Sequence, residues 1–234
     1  MKVFRKIRQS LIKDGKVKNY LAYAVGEILL VMIGILLAFQ VNSWNTQRLK
    51  NNAARLSYIN IKRQINDDKD LIRGIIDYNN LYLEQFEFAK EIIENNDRSK
   101  IDTLGYIATK LTKYSDFNRN SNIYQTLVNS GELSLISNGK IIERLHDLEE
   151  NYTYINRMEQ IHFDAILSSI IPDLNTIIKV SDRSVQKPDQ LYGYEFQNHF
   201  VLMIMVSIEK DEIYRRAIRE IDAITELIDR ELDR

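Results

Sequence analysis

Hydrophobic positions along the chain form one continuous apolar run, which is followed by long stretches of helical periodicity. Residues 21–41 are almost entirely apolar. A helix rises about 1.5 Å per residue and a bilayer core is about 30 Å thick, so about 20 residues are needed to cross it. The run therefore predicts a transmembrane helix over residues 20–42. Glu27 lies inside it, because a span that began after Glu27 would be too short.

Beyond this run, apolar residues recur every three to four positions, which predicts an all-α fold. The predicted helices cover residues 45–94, 103–113, 122–129, 138–171 and 194 to near the C-terminus, with a loop over residues 181–191. The fourth helix is expected to end at the Ile171-Pro172 pair. In the last helix, the apolar residues 200–206 are too few for a second span. We expect them at the buried centre of an antiparallel bundle of long helices.

The distribution of charge orients the predicted span. Residues 1–19 carry seven basic residues and one acid, whereas the chain outside this segment and the span has 25 basic and 31 acidic residues, a net charge of about −6. Basic residues concentrate on the cytoplasmic side, so residues 1–19, as an amphipathic helix or a flexible tail, are expected there and residues 43–234 outside. Tyr20 and Trp44 suit interfacial anchors. A cleaved signal peptide is the main alternative, but no small-residue cleavage site follows the run.

Composition limits the chemistry that this chain can perform. It has no cysteine, which excludes disulfides, thiolate metal sites and cysteine nucleophiles and favours a bacterial envelope protein. The mildly acidic domain lacks basic clusters, which argues against nucleic-acid binding. The sequence contains neither a glycine-rich phosphate loop nor a serine-elbow motif. We predict no catalytic residue, no metal ligand and no cofactor.

Two Glu-x-x-His motifs are the only sequence signals for a metal. Glu143 with His146 and Glu159 with His162 have the spacing that di-iron carboxylate bundles use. Both motifs fall in one predicted helix, about 24 Å apart and on nearly opposite faces, so they cannot share a metal pair within one chain. We interpret the spacing as chance.

The predicted transmembrane helix has two unlike sides. With residues placed about 100° apart, one arc collects small and polar residues and the other collects large aliphatic residues. The predicted helix-contact residues are Ala22, Gly26, Glu27, Gly34, Ala38 and Gln40. Small residues let a second helix approach closely, and polar groups bond across the contact. This side is expected to face a protein, and the opposite side is expected to face lipid.

Glu27 is the key residue of the predicted contact side. Four hypotheses remain open for its carboxyl group: an ion pair with another protein, a hydrogen bond as a neutral acid in a homodimer, a proton path, or an idle protonated state. One helix cannot form a proton channel alone. We therefore favour a contact with another membrane protein or with a second copy of this chain.

Two stretches of the chain resemble the signatures of a known group of proteins. Residues 26–38 followed by Asn42-Ser43-Trp44-Asn45, and the pattern from Tyr124 to Asn138, look like motifs of an uncharacterised (domain of unknown function) family. Its members are single-pass, N-terminally anchored membrane proteins from Bacteroidota bacteria. The resemblance implies a helical periplasmic domain on an inner-membrane anchor, with a helix junction at Ser130, Gly131 and Asn138. It implies no reaction.

Together these features predict a non-enzymatic, membrane-anchored helical protein that works by protein–protein contact. Its most concrete form is an accessory or scaffolding subunit of an envelope complex. The alternative is a periplasmic ligand-sensing domain that signals through a partner, since residues 1–19 hold no signalling domain. An enzyme is the third hypothesis.

Overall fold

The computed structural model describes residues 17–117 and 123–233, with side chains from residue 21 onward. This part of the chain is mostly helical, with one two-stranded sheet, which confirms the all-α class. It divides after Ala53 into two units, and the hydrophobic core belongs to the second. The basic N-terminal segment is predicted over residues 1–19, of which residues 1–16 lie outside the described residues.

The first helix, α1, is continuous over Val17–Glu94 and joins the apolar run to the helix predicted after it. In chain order the other elements are a 3₁₀ turn Arg98–Lys100, α2 Ile101–Ala108, a 3₁₀ turn Thr109–Thr112, α3 Ile123–Ser130, a 3₁₀ turn Glu132–Leu135, α4 Gly139–Ala165, a π turn Ile166–Ile170, α5 Ile171–Ile177, β1 Ile178–Lys179, β2 Ser184–Val185, α6 Pro188–Leu191 and α7 Tyr194–Leu232.

Helix α7 runs antiparallel to the part of α1 in the second unit and to α4. Near one end of the α1 contact, Arg55 Nη1 donates a hydrogen bond to Leu232 O at 2.9 Å. Further along α1, Lys69 pairs with Asp222, so the order of partners on α7 is reversed. The same reversal holds for the α4 contacts of Arg144 with Glu220 and Tyr154 with Glu209.

Two apolar clusters fill the interior of the second unit. The first combines residues 58–76 of α1, 141–155 of α4 and 213–228 of α7 with the residues around α3. The second combines residues 86–93 of α1 and 196–203 of α7 with α2, α5 and the hairpin. Helices α1 and α7 each contribute one stretch to each cluster, whereas the buried apolar residues of α4 belong to the first cluster and those of the π turn after it belong to the second.

The predicted helix end at Ile171-Pro172 is wrong. Helix α4 passes through the π turn into α5, which begins at Ile171 and continues to Ile177. A proline is tolerated in the first turn of a helix, where its missing N–H leaves no intrahelical bond unmade. The wider π turn before Pro172 provides such a start, so the chain keeps its helical course.

The predicted loop over residues 181–191 is also corrected by the structure. Strand β2 pairs antiparallel with β1, with Ile178 opposite Val185, and α6 follows. The turn between the strands is held by Asp182, whose carboxylate accepts hydrogen bonds from Ser184 N at 3.0 Å and Ser184 Oγ at 2.6 Å. Strands of two residues are too short to show an alternating pattern in the sequence.

The expectation that residues 200–206 are all buried is wrong for part of the run. Phe200, Met203 and Val206 are buried, whereas Leu202 and Met205 are 39% and 64% exposed. A helix at the side of a core buries one stripe only, so consecutive apolar residues cannot all face inward.

The helix junction has the local geometry that its sequence suggests. Gly131 follows α3 with φ 75°, the left-handed conformation that glycine adopts at a helix end. Asn138 caps α4, since its side chain accepts a hydrogen bond from Lys140 N at 3.1 Å.

Substitution of Gly131 by alanine is expected to lower the free energy of unfolding by about 1–2 kcal/mol, because a Cβ disfavours positive φ. Gly139→Ala is the matched control, since Gly139 lies at the start of α4 without a positive φ and a Cβ there meets nothing within 4 Å. Urea unfolding of both variants measures the difference. Equal effects would contradict the role of the left-handed conformation.

Candidate functional site

The apolar stretch of α1 is the first candidate site. It is long and apolar enough to cross a membrane, and none of it is buried against the rest of the described protein. Its large side chains are well exposed, with Ile28 at 67%, Leu30 at 68% and Phe39 at 70%. A continuous apolar surface of this size is characteristic of a segment covered by lipid or by another helix.

Small residues recur every four positions along this stretch. Ala22, Gly26, Gly34 and Ala38 form one row with Leu30 at its centre. A Cβ added at Gly26 or Gly34 meets nothing within 4 Å. Pairs of small residues four apart let membrane helices approach each other closely. The row, which we call the small-residue ridge, therefore offers a close-approach point on each side of Leu30.

The other residues predicted to lie in or beside the membrane occupy separate positions along the axis of α1. Glu27 is half-buried, Gln40 is exposed and Trp44 is 66% exposed. Tyr20 belongs to α1, but its side chain lies outside the described residues. Thirteen residues separate Glu27 from Gln40, which is about 20 Å along a helix. The contact side is therefore a line of separate positions rather than a pocket.

A set of buried polar side chains between the two apolar clusters is the second candidate site. We call it the polar layer. Its members are Asn79 of α1, Ser115 of the segment after the 3₁₀ turn Thr109–Thr112, the α4 residues Glu159 and His162, and the α7 residues Lys210 and Tyr214. Asn79, Glu159, His162 and Lys210 lie where the chain passes from one apolar cluster to the other, and Tyr214 belongs to the first cluster. Sequence analysis did not predict this layer.

Glu159 receives two hydrogen bonds at one carboxylate oxygen. Its Oε1 accepts from Phe117 N at 2.9 Å and from the Tyr214 hydroxyl. Burial raises the pKa of Glu159, an effect that these two hydrogen bonds oppose. Burial also raises the pKa of the Tyr214 hydroxyl, which therefore remains a hydrogen-bond donor.

Lys210 connects the remaining members of the layer. Its Nζ donates to Ser115 Oγ at 2.8 Å and to Ser115 O at 3.3 Å, and it lies 3.5 Å from His162 Nδ1. Ser115 Oγ donates in turn to Asn79 Oδ1 at 2.9 Å. Burial lowers the pKa of Lys210 to about 8, and burial together with the nearby Lys210 lowers the pKa of His162 to about 4. His162 is therefore neutral at neutral pH.

Three atoms of the polar layer are buried without a hydrogen-bond partner in the described part of the chain: Asn79 Nδ2, Glu159 Oε2 and His162 Nε2. A partly satisfied polar network in a low-dielectric interior is costly, so small changes in it have large effects. The Ser115–Lys210 contact has the composition of a serine–lysine nucleophile pair. Ser115 is 6% exposed and Lys210 is 2% exposed, so this contact lies in the interior.

The structure separates the two Glu-x-x-His motifs. Glu143 and His146 are exposed, and His146 Nε2 lies 3.4 Å from Glu150 Oε1, whereas Glu159 and His162 belong to the polar layer. Across residues 17–117 and 123–233, no three His, Cys, Asp or Glu side chains are grouped closely enough to hold a metal ion. The interpretation of the spacing as chance missed the structural role of the second motif.

The chain matches no protein-family model, no curated protein and no solved structure. The family resemblance of its motifs therefore stays a prediction.

Proposed function

We propose that this protein is a single-pass bacterial inner-membrane protein, anchored by residues 20–42, whose helical domain acts by protein–protein contact. In this proposal the N-terminus is cytoplasmic, and residues 43–234 form a periplasmic bundle that serves as an accessory or scaffolding subunit of an envelope complex. Membership of the Bacteroidota family is part of the same proposal. The observation that carries it is the small-residue ridge on an uncovered apolar helix.

The ridge supports a helix partner rather than lipid alone. Lipid tails cover large aliphatic side chains as well as small ones, so lipid contact does not require small residues in a row. Close packing between membrane helices does require them. Glu27 is next to Gly26 of the ridge, and a carboxyl group at this depth is more stable at a protein contact than facing lipid.

The second unit also has apolar surface suited to a protein contact. Leu202, Met205 and Ile208 recur every three residues on α7 and are 39%, 64% and 53% exposed. Exposed apolar side chains grouped on one helix face are typical of interaction surfaces. This surface supports a domain that works by contact.

Photo-crosslinking of the full chain in bacterial membranes tests the proposal. With a photoreactive residue at Leu30, at the centre of the ridge, we expect a protein adduct of defined mass. The matched control places the same residue at Met32, on the opposite side of the helix, where we expect lipid adducts. Glu27→Gln is expected to lower the yield at Leu30 several-fold, because it removes the ionisable group beside the ridge.

The adduct at Leu30 distinguishes the hypotheses. A second protein would support the accessory role and identify the complex. An adduct of the chain with itself would indicate a homodimer and favour the ligand-sensing alternative. Lipid adducts alone at both positions would contradict a helix partner.

A further inference from the structure

A groove in the second unit combines an apolar wall with a cationic rim. It lies between the 3₁₀ turn Thr109–Thr112, helix α5 and the β1–β2 hairpin, and it has a volume of about 490 Å³. Sites for small molecules are concave and have volumes of about 300–1,000 Å³. The groove is therefore large enough for a small ligand.

The rim of the groove carries three positive charges, Lys110, Lys113 and Arg183, and no Asp or Glu lines it. In the described part of the chain none of the three has a carboxylate within 4 Å, whereas the neighbouring Lys179 pairs with Asp182 at 2.8 Å. The groove is thus a local positive site on a domain with net negative charge. Uncompensated cations around a cleft raise the local concentration of anions.

Two of these cations lie near the ring of Tyr106. Lys110 Nζ lies 4.5 Å from the centroid of the Tyr106 ring, and Arg183 Cζ lies 6.0 Å from it. Hydrogen bonding and charge from Lys110 lower the pKa of the Tyr106 hydroxyl. Lys110 and Arg183 therefore both lie within cation–π range of the same aromatic ring.

The backbone of Arg183 lies in the turn between β1 and β2, and this residue lines the groove. Arg183 has φ 62° at the turn between β1 and β2, a conformation that glycine or asparagine adopts more easily. Its N–H donates to Lys179 O at 2.7 Å, which closes the turn. An unfavourable backbone conformation at a residue that lines a cleft is typical of binding sites.

One wall of the groove is apolar, and Thr109, Thr112 and Asn175 line the groove beside the three cations. Leu174 and Ile178 are buried at its base, Ile171 is half-buried, and Val180 is 66% exposed at its edge. A strongly hydrated ion alone would not match an isoleucine and leucine wall beside three cations, because its binding would bury none of the apolar surface of the wall. A ligand with an apolar part and an acidic group would bury the apolar surface of the wall and neutralise the positive charges of the rim.

We propose that this groove binds a free single-chain anionic amphiphile, with its acidic head group at Lys110, Lys113 and Arg183 and its alkyl chain along Ile171, Leu174, Ile178 and Val180. A volume of about 490 Å³ suits one alkyl chain better than two. This proposal does not depend on the helix contact at the small-residue ridge. Binding would supply a ligand for the sensing alternative.

Photolabelling tests the groove in the full chain, reconstituted in phosphatidylcholine nanodiscs so that no detergent competes. The probe is dodecanoate with a diazirine near the end of its chain, and labelled peptides are mapped by mass spectrometry. We expect label on the peptides that contain residues 171–180. Unlabelled dodecanoate should compete, whereas acetate, which lacks the chain, and dodecanol, which lacks the charge, should not.

Two charge variants separate the groove from general charge attraction. The triple variant Lys110→Gln, Lys113→Gln and Arg183→Gln is expected to lose at least tenfold in labelling. The matched control, Lys140→Gln, Arg157→Gln and Lys187→Gln, removes three exposed charges elsewhere on the second unit and should keep full labelling.

A single variant, Val180→Asp, tests the edge of the wall without disturbing the core, because this side chain is exposed. It should also abolish labelling, since it places a charged carboxylate against the alkyl chain. Equal labelling of the triple variant and its control would overturn the proposal. Label confined to the membrane span, or unchanged labelling of Val180→Asp, would overturn it as well.

Discussion

Replacement of Glu159 by leucine is expected to lower the free energy of unfolding by about 4 kcal/mol. The substitution leaves two buried donors, Phe117 N–H and the Tyr214 hydroxyl, without their shared acceptor. Each buried donor that loses its partner costs about 1–3 kcal/mol. Urea unfolding of the full chain in a nonionic detergent, followed by far-ultraviolet circular dichroism, measures the loss.

Glu159→Gln separates the hydrogen bonds from the charge. Glutamine keeps a carbonyl oxygen that accepts from both donors and removes a carboxylate that burial disfavours, so we expect a change within about 1 kcal/mol. Glu143→Leu, in the exposed motif of the same helix, should change stability by less than about 0.5 kcal/mol. If Glu159→Gln were as destabilising as Glu159→Leu, attraction to Lys210 rather than hydrogen bonding would hold the layer.

The long helices could be predicted from sequence because their apolar stripes are long and regular. In α7, Tyr214, Ala217, Ile221, Ile224 and Ile228 alternate at spacings of three and four, and all are fully buried. A long apolar stripe with this spacing predicts a helix whose apolar side faces the core. Elements of two to five residues, such as the β1–β2 hairpin and the π turn, have too few positions to show a period, so the sequence did not predict them.

The polar layer was missed for a different reason, although a signal for it exists. The stripe of α4 continues from Tyr152 and Ile155 through Glu159 and His162 to Ile166 without a change of spacing. Lys210 likewise occupies a stripe position of α7. Polar residues at core positions of a helical seam mark buried polar contacts. A search for the periodicity of apolar residues alone passes over polar residues at these positions. The residues that pair with them also lie on helices distant in sequence, so the pairs cannot be recognised from local spacing.

Acidification is expected to destabilise the second unit through His162. Its pKa is about 4 in the folded protein against 6.5 for an ordinary histidine, so between these values the unfolded chain binds more protons. Stability is therefore complete above about pH 6.5 and falls as the pH decreases toward about 4. From about pH 8 to about pH 5 the loss due to His162 is about 2 kcal/mol.

Neighbouring groups also influence the pH dependence of stability around His162. Lys210 Nζ, 3.5 Å from Nδ1, has a pKa of about 8, so it is protonated between about pH 6.5 and pH 4 and opposes a second positive charge. The ring of Tyr114 meets the imidazole edge-on at a centroid distance of 6.0 Å and adds no charge while its hydroxyl is protonated. Glu159 acts in the opposite direction, because its raised pKa adds stability at low pH that is lost as the pH rises.

Comparison with His162→Leu isolates the histidine from these neighbours. His162 Nε2 has no hydrogen-bond partner among the residues described, so leucine should leave stability within about 1 kcal/mol of the natural chain near pH 8. Near pH 5 the variant should be the more stable by about 2 kcal/mol, because it has no imidazole to protonate. His146→Leu, at an exposed position of the same helix, should follow the natural chain at both pH values. A parallel pH dependence of His162→Leu and the natural chain would show that His162 is not the group responsible.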